Sequence, residues 1–415
     1  MTALGDGVTA TTAVHRVGAR VLVSMIAGRT VLRLLAYASG VIFAAVWSGP
    51  DFARYAAALG TAVWLTPLIQ TGPEKTALKL IPRSVRTRGQ IIGLLRTVVL
   101  VVPVPLLAAT ALAVALAPTG TATLYLAAAA YQIALGCNLL AIALYRAIGQ
   151  TGRDVADYAV LSAGSAVLIA VVTGAHLPPI GYLCGLLVLT HGLTIGLARG
   201  LPRRPTRRGI RRIMLRTAVL MGSSEVLSNA ATSVLYVELV LTGQGGQSGS
   251  LYLASLGWSA LINVAYFVQR IFQPVLSARL ARVSGPAAWA MPVRLARWVA
   301  WLSVAWLVVV PAGLAIGAAH GVSRWPLLVI AALMLSRVPF YLATAYAVYV
   351  LENTDADGLR ICAAGAVLGM AAVAATGLVL IPLFGAAGAV CALATNQLCV
   401  VSTILRRWRS DIDHS

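Results

Sequence analysis

Charge is what this chain lacks most. Aspartate and glutamate together number 12 in 415 residues against 32 lysines and arginines, and charged residues reach only 11%, where an average soluble domain carries about a quarter. A surface that poor in charge cannot be wetted all round, so an ordinary water-soluble fold is excluded. Lysine is scarcer still: Lys75 and Lys79 are the only two, and no Gly-x-x-x-x-Gly-Lys-Ser/Thr loop holds either. ATP hydrolysis through such a loop is therefore excluded. The five cysteines, Cys137, Cys184, Cys362, Cys391 and Cys399, sit inside apolar runs without paired spacing and read as small packing residues. His176 and His320 lie in predicted turns, and His191 stands alone in a predicted span without a second ligand at i+4. No metal, cofactor or catalytic constellation is expected, and the chain reads as a non-enzyme.

Hydrophobic residues fill the gap, at 59% of the chain. Three charge-free runs, Thr97 to Tyr145, Tyr158 to Ala198 and Ile361 to Leu405, are each near twice the roughly 20 residues that one helix needs to cross a bilayer. Each therefore reads as a helical hairpin, broken at Ala117–Thr121, Gly174–Pro179 and Ile381–Gly385, where Pro and Gly cluster. The runs are too long and too uniformly apolar for barrel strands, which alternate faces, so backbone in lipid must close its hydrogen bonds within helices. Spans are expected near 21–47, 52–70, 91–117, 122–145, 157–173, 180–198, 214–241, 251–272, 296–317, 326–351, 361–381 and 384–405. The first of them lacks a cleavage site and is expected to stay. The fold class is an all-α polytopic membrane protein of about twelve helices in two six-helix lobes.

Basic residues test that threading, because cytoplasmic loops hold the Lys and Arg of a membrane protein. Of the 32, only Arg54 and Arg324 fall on the predicted outer side and Arg337 within a helix, which puts both termini in the cytoplasm. Seven arginines and two prolines crowd Arg199 to Arg212, after the sixth span. The chain thus divides into a lobe over 1–198, a basic linker over 199–213 and a lobe over 214–415. The linker is expected to anchor on anionic lipid at the inner face; nucleic acid is not a predicted partner, since no aromatic residues are interleaved for stacking. Two short matches relate the halves: Tyr55–Gly60 with Tyr252–Gly257, and Pro178–Gly185 with Ile381–Gly388. Duplicated bundles suit a transporter whose lobes rock about a shared site.

An ionised group in a span costs about 2.5–3.5 kcal/mol on insertion scales, so each such residue is a functional candidate. Arg29 and Arg33 share one face of the first span and either snorkel to the inner headgroups or enter a cavity. Arg337, far from both ends of its span and two residues before Pro339, points to a water-filled cavity or a buried ion pair, with a bend at the proline. Glu225, Asn229 and Glu238 lie on the seventh span, where each carboxylate reads as a coupling group, a counter-ion or an interfacial residue. Arg270 is placed at the inner face and Arg54 at the outer mouth. Gly243–Gly249 (GQGGQSG) reads as a flexible outer turn rather than a phosphate loop, and Gly181/Gly185, Gly192/Gly196 and Gly365/Gly369 have the spacing of close helix packing.

The stretch Ser48 to Arg83 resembles the first helical hairpin of polysaccharide and oligosaccharide-lipid exporters of the multidrug/oligosaccharidyl-lipid/polysaccharide (MOP) superfamily. Leu378 to Gln397 is similar to that superfamily's Pro- and Gly-containing signature between its last two helices, and the region from Val234 to Arg282 to its seventh and eighth helices. There Glu238 stands where the family usually has Asp. The resemblance, to the O-antigen flippase (Wzx-like) type in particular, implies two lobes around a central cavity in the bacterial cytoplasmic membrane. It also implies alternating access and a polyprenyl-diphosphate-linked glycan as cargo. Arg29, Arg33, Arg337, Arg270 and Asn229 would bind its anionic head group, and glycan-assembly enzymes would be partners. A cation-coupled multidrug exporter would want acidic residues in the first six spans, and none is expected mid-span there. A polysaccharide polymerase would want a large outer loop, whereas the longest predicted is Thr242 to Ser250. A non-transporting scaffold for glycan assembly is the third reading.

Overall fold

The computed structural model describes residues 19–81, 86–259, 325–354 and 356–413, with a few isolated positions between 260 and 324. The predicted ninth span, the end of the eighth, Arg270, His320 and Arg324 lie outside the described residues. Thirteen helices are bounded within them. They are α1 (Ala19–Val46), α2 (Gly49–Ala62), α3 (Leu65–Leu80), α4 (Arg88–Val101), α5 (Val104–Leu116), α6 (Thr121–Ala147), α7 (Thr151–Gly174) and α8 (Pro179–Arg199). After the arginine-rich segment come α9 (Arg208–Leu241), α10 (Trp325–Ser336), α11 (Val338–Thr354), α12 (Ala356–Phe384) and α13 (Ala386–Asp413). Residues 248–259 are helical as well, and no strand occurs among the described residues.

Several predicted spans are broken by proline. A proline ring clashes with the carbonyl four residues back and offers no N–H. Pro67 parts α2 from α3 and Pro103 parts α4 from α5 in this way. Pro339 acts likewise, but the break lies at Arg337 itself rather than at the proline, so the arginine sits at a joint between α10 and α11. Counting each broken pair as one, nine described helices are long and apolar enough to cross a membrane. The chain is a multi-pass membrane protein. The 34-residue α9 is not among those nine, because Glu225, Asn229 and a run of serines occupy one of its faces.

Helix α9 is the seam of the molecule, packing along α3 on one side and α12 on the other. Glycine makes the first contact close: a Cβ on Gly72 would strike the carbonyl of Ala218, and one on Gly222 would strike Gly72. Higher up, the Ser233 hydroxyl donates to the Gly60 carbonyl at 3.0 Å and the Tyr236 ring lies where a Gly60 side chain would be. Of the predicted glycine pairs, Gly365 and Gly369 pack against α13, whereas Gly192 and Gly196 meet nothing.

The arginine-rich segment is a docked strap rather than a free linker. Thr206 donates to the Gln90 carbonyl at 2.8 Å, the Arg207 amide donates to the Gln90 side chain at 3.1 Å, and Leu201 is buried beside Ile91 and Leu95. Its arginine side chains are left exposed. The Gly243–Gly249 turn is also anchored, since Gln247 accepts from the Ala386 amide at 2.8 Å and so caps α13.

Candidate functional site

At the end of the bundle away from the strap, aromatic rings pack against one another. Phe43 stacks on Trp47 at 4.2 Å and meets Tyr182 edge-on at 4.5 Å, while the Trp47 indole donates to the Leu177 carbonyl at 2.9 Å. Tyr55 and Tyr252, the leading residues of the two matched motifs, face each other at 6.1 Å. Ring quadrupoles favour such edge contacts, each worth about 0.5–1.5 kcal/mol beyond its buried area. The Tyr55–Tyr252 pair joins α2 to the 248–259 helix, and a Cβ on Gly40 of α1 would strike Leu256 and Tyr252 beside it.

Below this layer lie two contiguous cavities. The one nearer the strap holds about 450 Å³ and is lined by Arg29, Arg33, Gln70, Arg146, Glu225 and Asn229 among others. The one beneath the aromatic layer holds about 340 Å³ and is lined by tyrosines, amides and Arg337. Gln132, Tyr131, Asn229, Trp258 and Tyr341 line both. Helices from before and after the strap contribute to each.

The strap-side cavity is walled by a network of opposed charges. Arg29 Nη2 donates to Asp154 Oδ2 at 3.2 Å, and Arg146 Nε stands 3.1 Å from the same oxygen. Arg146 Nη2 also donates to Glu74 Oε1 at 3.1 Å, and Gln70 donates to the other Glu74 oxygen at 2.6 Å. Asp154 is 0% exposed, so Arg29 does not snorkel away: it is held inward against a buried carboxylate. Across the seam, Lys75 on α3 reaches Glu352 on α11 at 2.9 Å and Glu225 on α9 at 3.7 Å, and the Ser224 hydroxyl donates to Glu352 at 2.5 Å. Glu225 is thus a counter-ion to Lys75.

Arg337 stands in a different setting. Nη2 donates to the Leu393 carbonyl at 3.2 Å, Nη1 meets the Met334 sulfur at 3.4 Å, and the guanidinium lies 4.9 Å over the Trp258 ring. That ring is itself packed edge-on against Tyr341 at 5.0 Å. Among the described residues no carboxylate pairs with Arg337.

The structure therefore brings Arg29, Arg33, Glu225 and Asn229 together at one cavity and places Arg337 with Asn229 at the other. Glu238 does not join them. It is 4% exposed, and its carboxylate abuts Gly377 of α12. Arg54 is exposed and paired with Asp51 at 3.6 Å, away from both cavities. Sequence reasoning missed Glu74, Arg146 and Asp154, because the second span was ended at 70, the fourth at 145 and the fifth begun at 157, whereas the helices run on to Leu80 and Ala147 and start at Thr151. Glu74, Asp154 and Asp157 are buried near the ends of their helices rather than in mid-span, where no acidic residue is expected from the sequence. The available signal was the i, i+3 pair Asp154/Asp157 at the mouth of an otherwise charge-free run.

No protein-family profile and no curated protein matches the sequence. Solved structures do match in shape. An inward-facing multidrug-resistance MATE family transporter of the MOP superfamily superposes with a TM-score of 0.66 at 14% identity, over 91% of this chain and 94% of that one. The chain has the fold of MOP-superfamily transporters. An outward-facing MATE family transporter matches at 0.60 and 15% identity, over 95% of this chain and 96% of the other. The lipid II flippase MurJ, in an inward closed conformation, matches at 0.61 and 13% identity, over 93% and 87%. Such identities carry the architecture of this fold and not the cargo.

Proposed function

We propose that this chain exports a lipid-linked oligosaccharide or polysaccharide across the bacterial cytoplasmic membrane by alternating access, its two lobes (1–198 and 214–415) rocking about the cavity. The observation that carries this reading is a polar, arginine-bearing cavity walled by helices from both halves, with a layer of packed aromatic rings at one end. An aqueous chamber between two lobes is what alternating access requires, and guanidinium groups within it suit a diphosphate or an acidic sugar. Arg33 and Arg337 are the proposed head-group ligands. Arg29 acts with Asp154, and the exposed strap arginines rest on anionic lipid headgroups, which by the positive-inside rule makes that face cytoplasmic. The test is translocation of a fluorescent lipid-linked oligosaccharide in proteoliposomes. Wild-type protein should move it and R33A/R337A should not; equal rates would overturn the assignment.

The second reading is a cation-coupled multidrug exporter of the same fold. The buried carboxylates of the first half, Glu74, Asp154 and Asp157, favour it. Two of the three are engaged by arginine, which leaves Asp157, held by Asn138 at 3.5 Å. Efflux of cationic dyes that depends on Asp157, without any effect on glycan lipids, would establish that reading instead.

A further inference from the structure

The two cavities differ in charge balance, and that difference assigns a ligand. Around the strap-side cavity, Arg29 and Arg146 are paired with Asp154 and Glu74, and Lys75 with Glu225 and Glu352. Beneath the aromatic layer the lining contains Arg337 and no Asp or Glu among the described residues. One positive charge there is uncompensated.

Two hydrogen-bond donors of that second cavity are also unused. Arg337 Nε and Gln397 Nε2 are buried without a partner among the described residues, and Gln397 is only 7% exposed. Gln397 follows Leu393, whose carbonyl holds Arg337, by one helical turn on the same face of α13. An unpaired buried donor costs about 1–3 kcal/mol, so this arrangement is stabilised by a ligand that brings acceptors and negative charge. Alongside aliphatic residues, the lining includes Trp258, Tyr131, Tyr341 and Tyr252 with Gln132 and Asn229. Flat rings with a few placed amides accept a pyranose, whose C–H faces pack on aromatics and whose hydroxyls pair with amides.

Resting on the export reading, we infer that the cavity beneath the aromatic layer is a subsite for a sugar ring bearing a carboxylate, a uronic-acid-type residue. Its carboxylate accepts from Arg337 and Gln397 and its ring stacks by Trp258. A diphosphate fits less well, because it brings more than one negative charge to a single guanidinium. The guanidinium's other contacts, a carbonyl, a thioether and an indole face, orient it without neutralising it. Arg337 is then the residue that selects acidic over neutral glycans.

The experiment is direct binding to the purified full-length protein in detergent, using three probes: a trigalacturonate, the same trisaccharide with its carboxyls reduced to alcohols, and inorganic pyrophosphate. Wild-type protein should bind the acidic trisaccharide about tenfold or more tighter than the reduced one, the scale of one good charge-assisted pair. R337Q should lose that preference, and R337K, which keeps the charge without the fork, should keep part of it. R360Q, which removes an exposed pair with Asp357, should change nothing. Equal binding of the acidic and reduced sugars by wild type would overturn the proposal even if R337Q did not fold. So would pyrophosphate binding that depends on Arg337 while the acidic sugar does not. A protein that prefers the acidic sugar but translocates no glycan lipid would retain this subsite and lose the export reading. Transport without the preference would do the reverse.

Discussion

Two chambers of one cavity use arginine in opposite ways. Near the strap, Arg29 and Arg146 converge on a single oxygen of a fully buried aspartate, so their charge is spent on holding α1, α6 and α7 together. Beneath the aromatic layer, Arg337 is positioned by neutral groups at a break in its own helix, so its charge remains to be met by a ligand. An ionisable residue inside a membrane span therefore has no single meaning. Its partners decide whether it is structural or functional.

That contrast breaks or sharpens under substitution. The largest effect is expected from Asp154→Asn, which leaves the buried Arg29 without that counter-ion and Arg146 with Glu74 alone. Thermal unfolding in detergent should show a loss of about 3–5 kcal/mol. Arg337→Gln should cost only about 1–2 kcal/mol, the price of one unmet carbonyl, while removing selectivity for acidic glycan. Equal destabilisation by the two would erase the distinction between the chambers.

Next in size is the seam. Lys75→Gln leaves Glu225 and Glu352 facing each other across α9 and α11, with an expected loss of about 1–3 kcal/mol. Adding Glu352→Gln should recover part of that, and a double-mutant cycle reads the coupling as about 0.5–3 kcal/mol. Strictly additive losses would show that Lys75 and Glu352 are not energetically coupled. Tyr252→Ala removes ring contacts to Tyr55 and Phe52, both at 6.1 Å. The aromatic layer should then loosen, and a cysteine placed at Ser255 should label about three- to tenfold faster, the equivalent of about 0.5–1.5 kcal/mol. The smallest effect is expected from Trp258→Leu, where loss of the cation–π contact should weaken acidic-sugar binding about two- to fivefold.

The helices and their order were legible because long charge-free runs leave the backbone no other way to satisfy itself in lipid. Arg29, Arg33 and Arg337 stood out for the complementary reason, as charges where charge is costly. The matched motifs Tyr55–Gly60 and Tyr252–Gly257 proved informative in another way, since their two tyrosines meet in the aromatic layer. What the sequence hid was pairing at a distance. Asp154 lies 125 residues from Arg29 and Glu352 lies 277 from Lys75, and no local pattern connects them. Residues at span ends were discarded as loop, yet Glu74 and Asp154 are buried there because the helices run on past the hydrophobic window. The docking of the strap was hidden for a similar reason: it rests on Gln90 in α4, more than a hundred residues away.

The most direct measurement of the whole account is the rate at which the reconstituted protein moves a labelled lipid-linked glycan between leaflets, compared for a uronic-acid-bearing head group and its carboxyl-reduced counterpart. The account predicts translocation of the acidic form, faster than the neutral one, and a difference that vanishes in R337Q. Absence of translocation for either head group, by protein that retains its wild-type thermal stability, would contradict it.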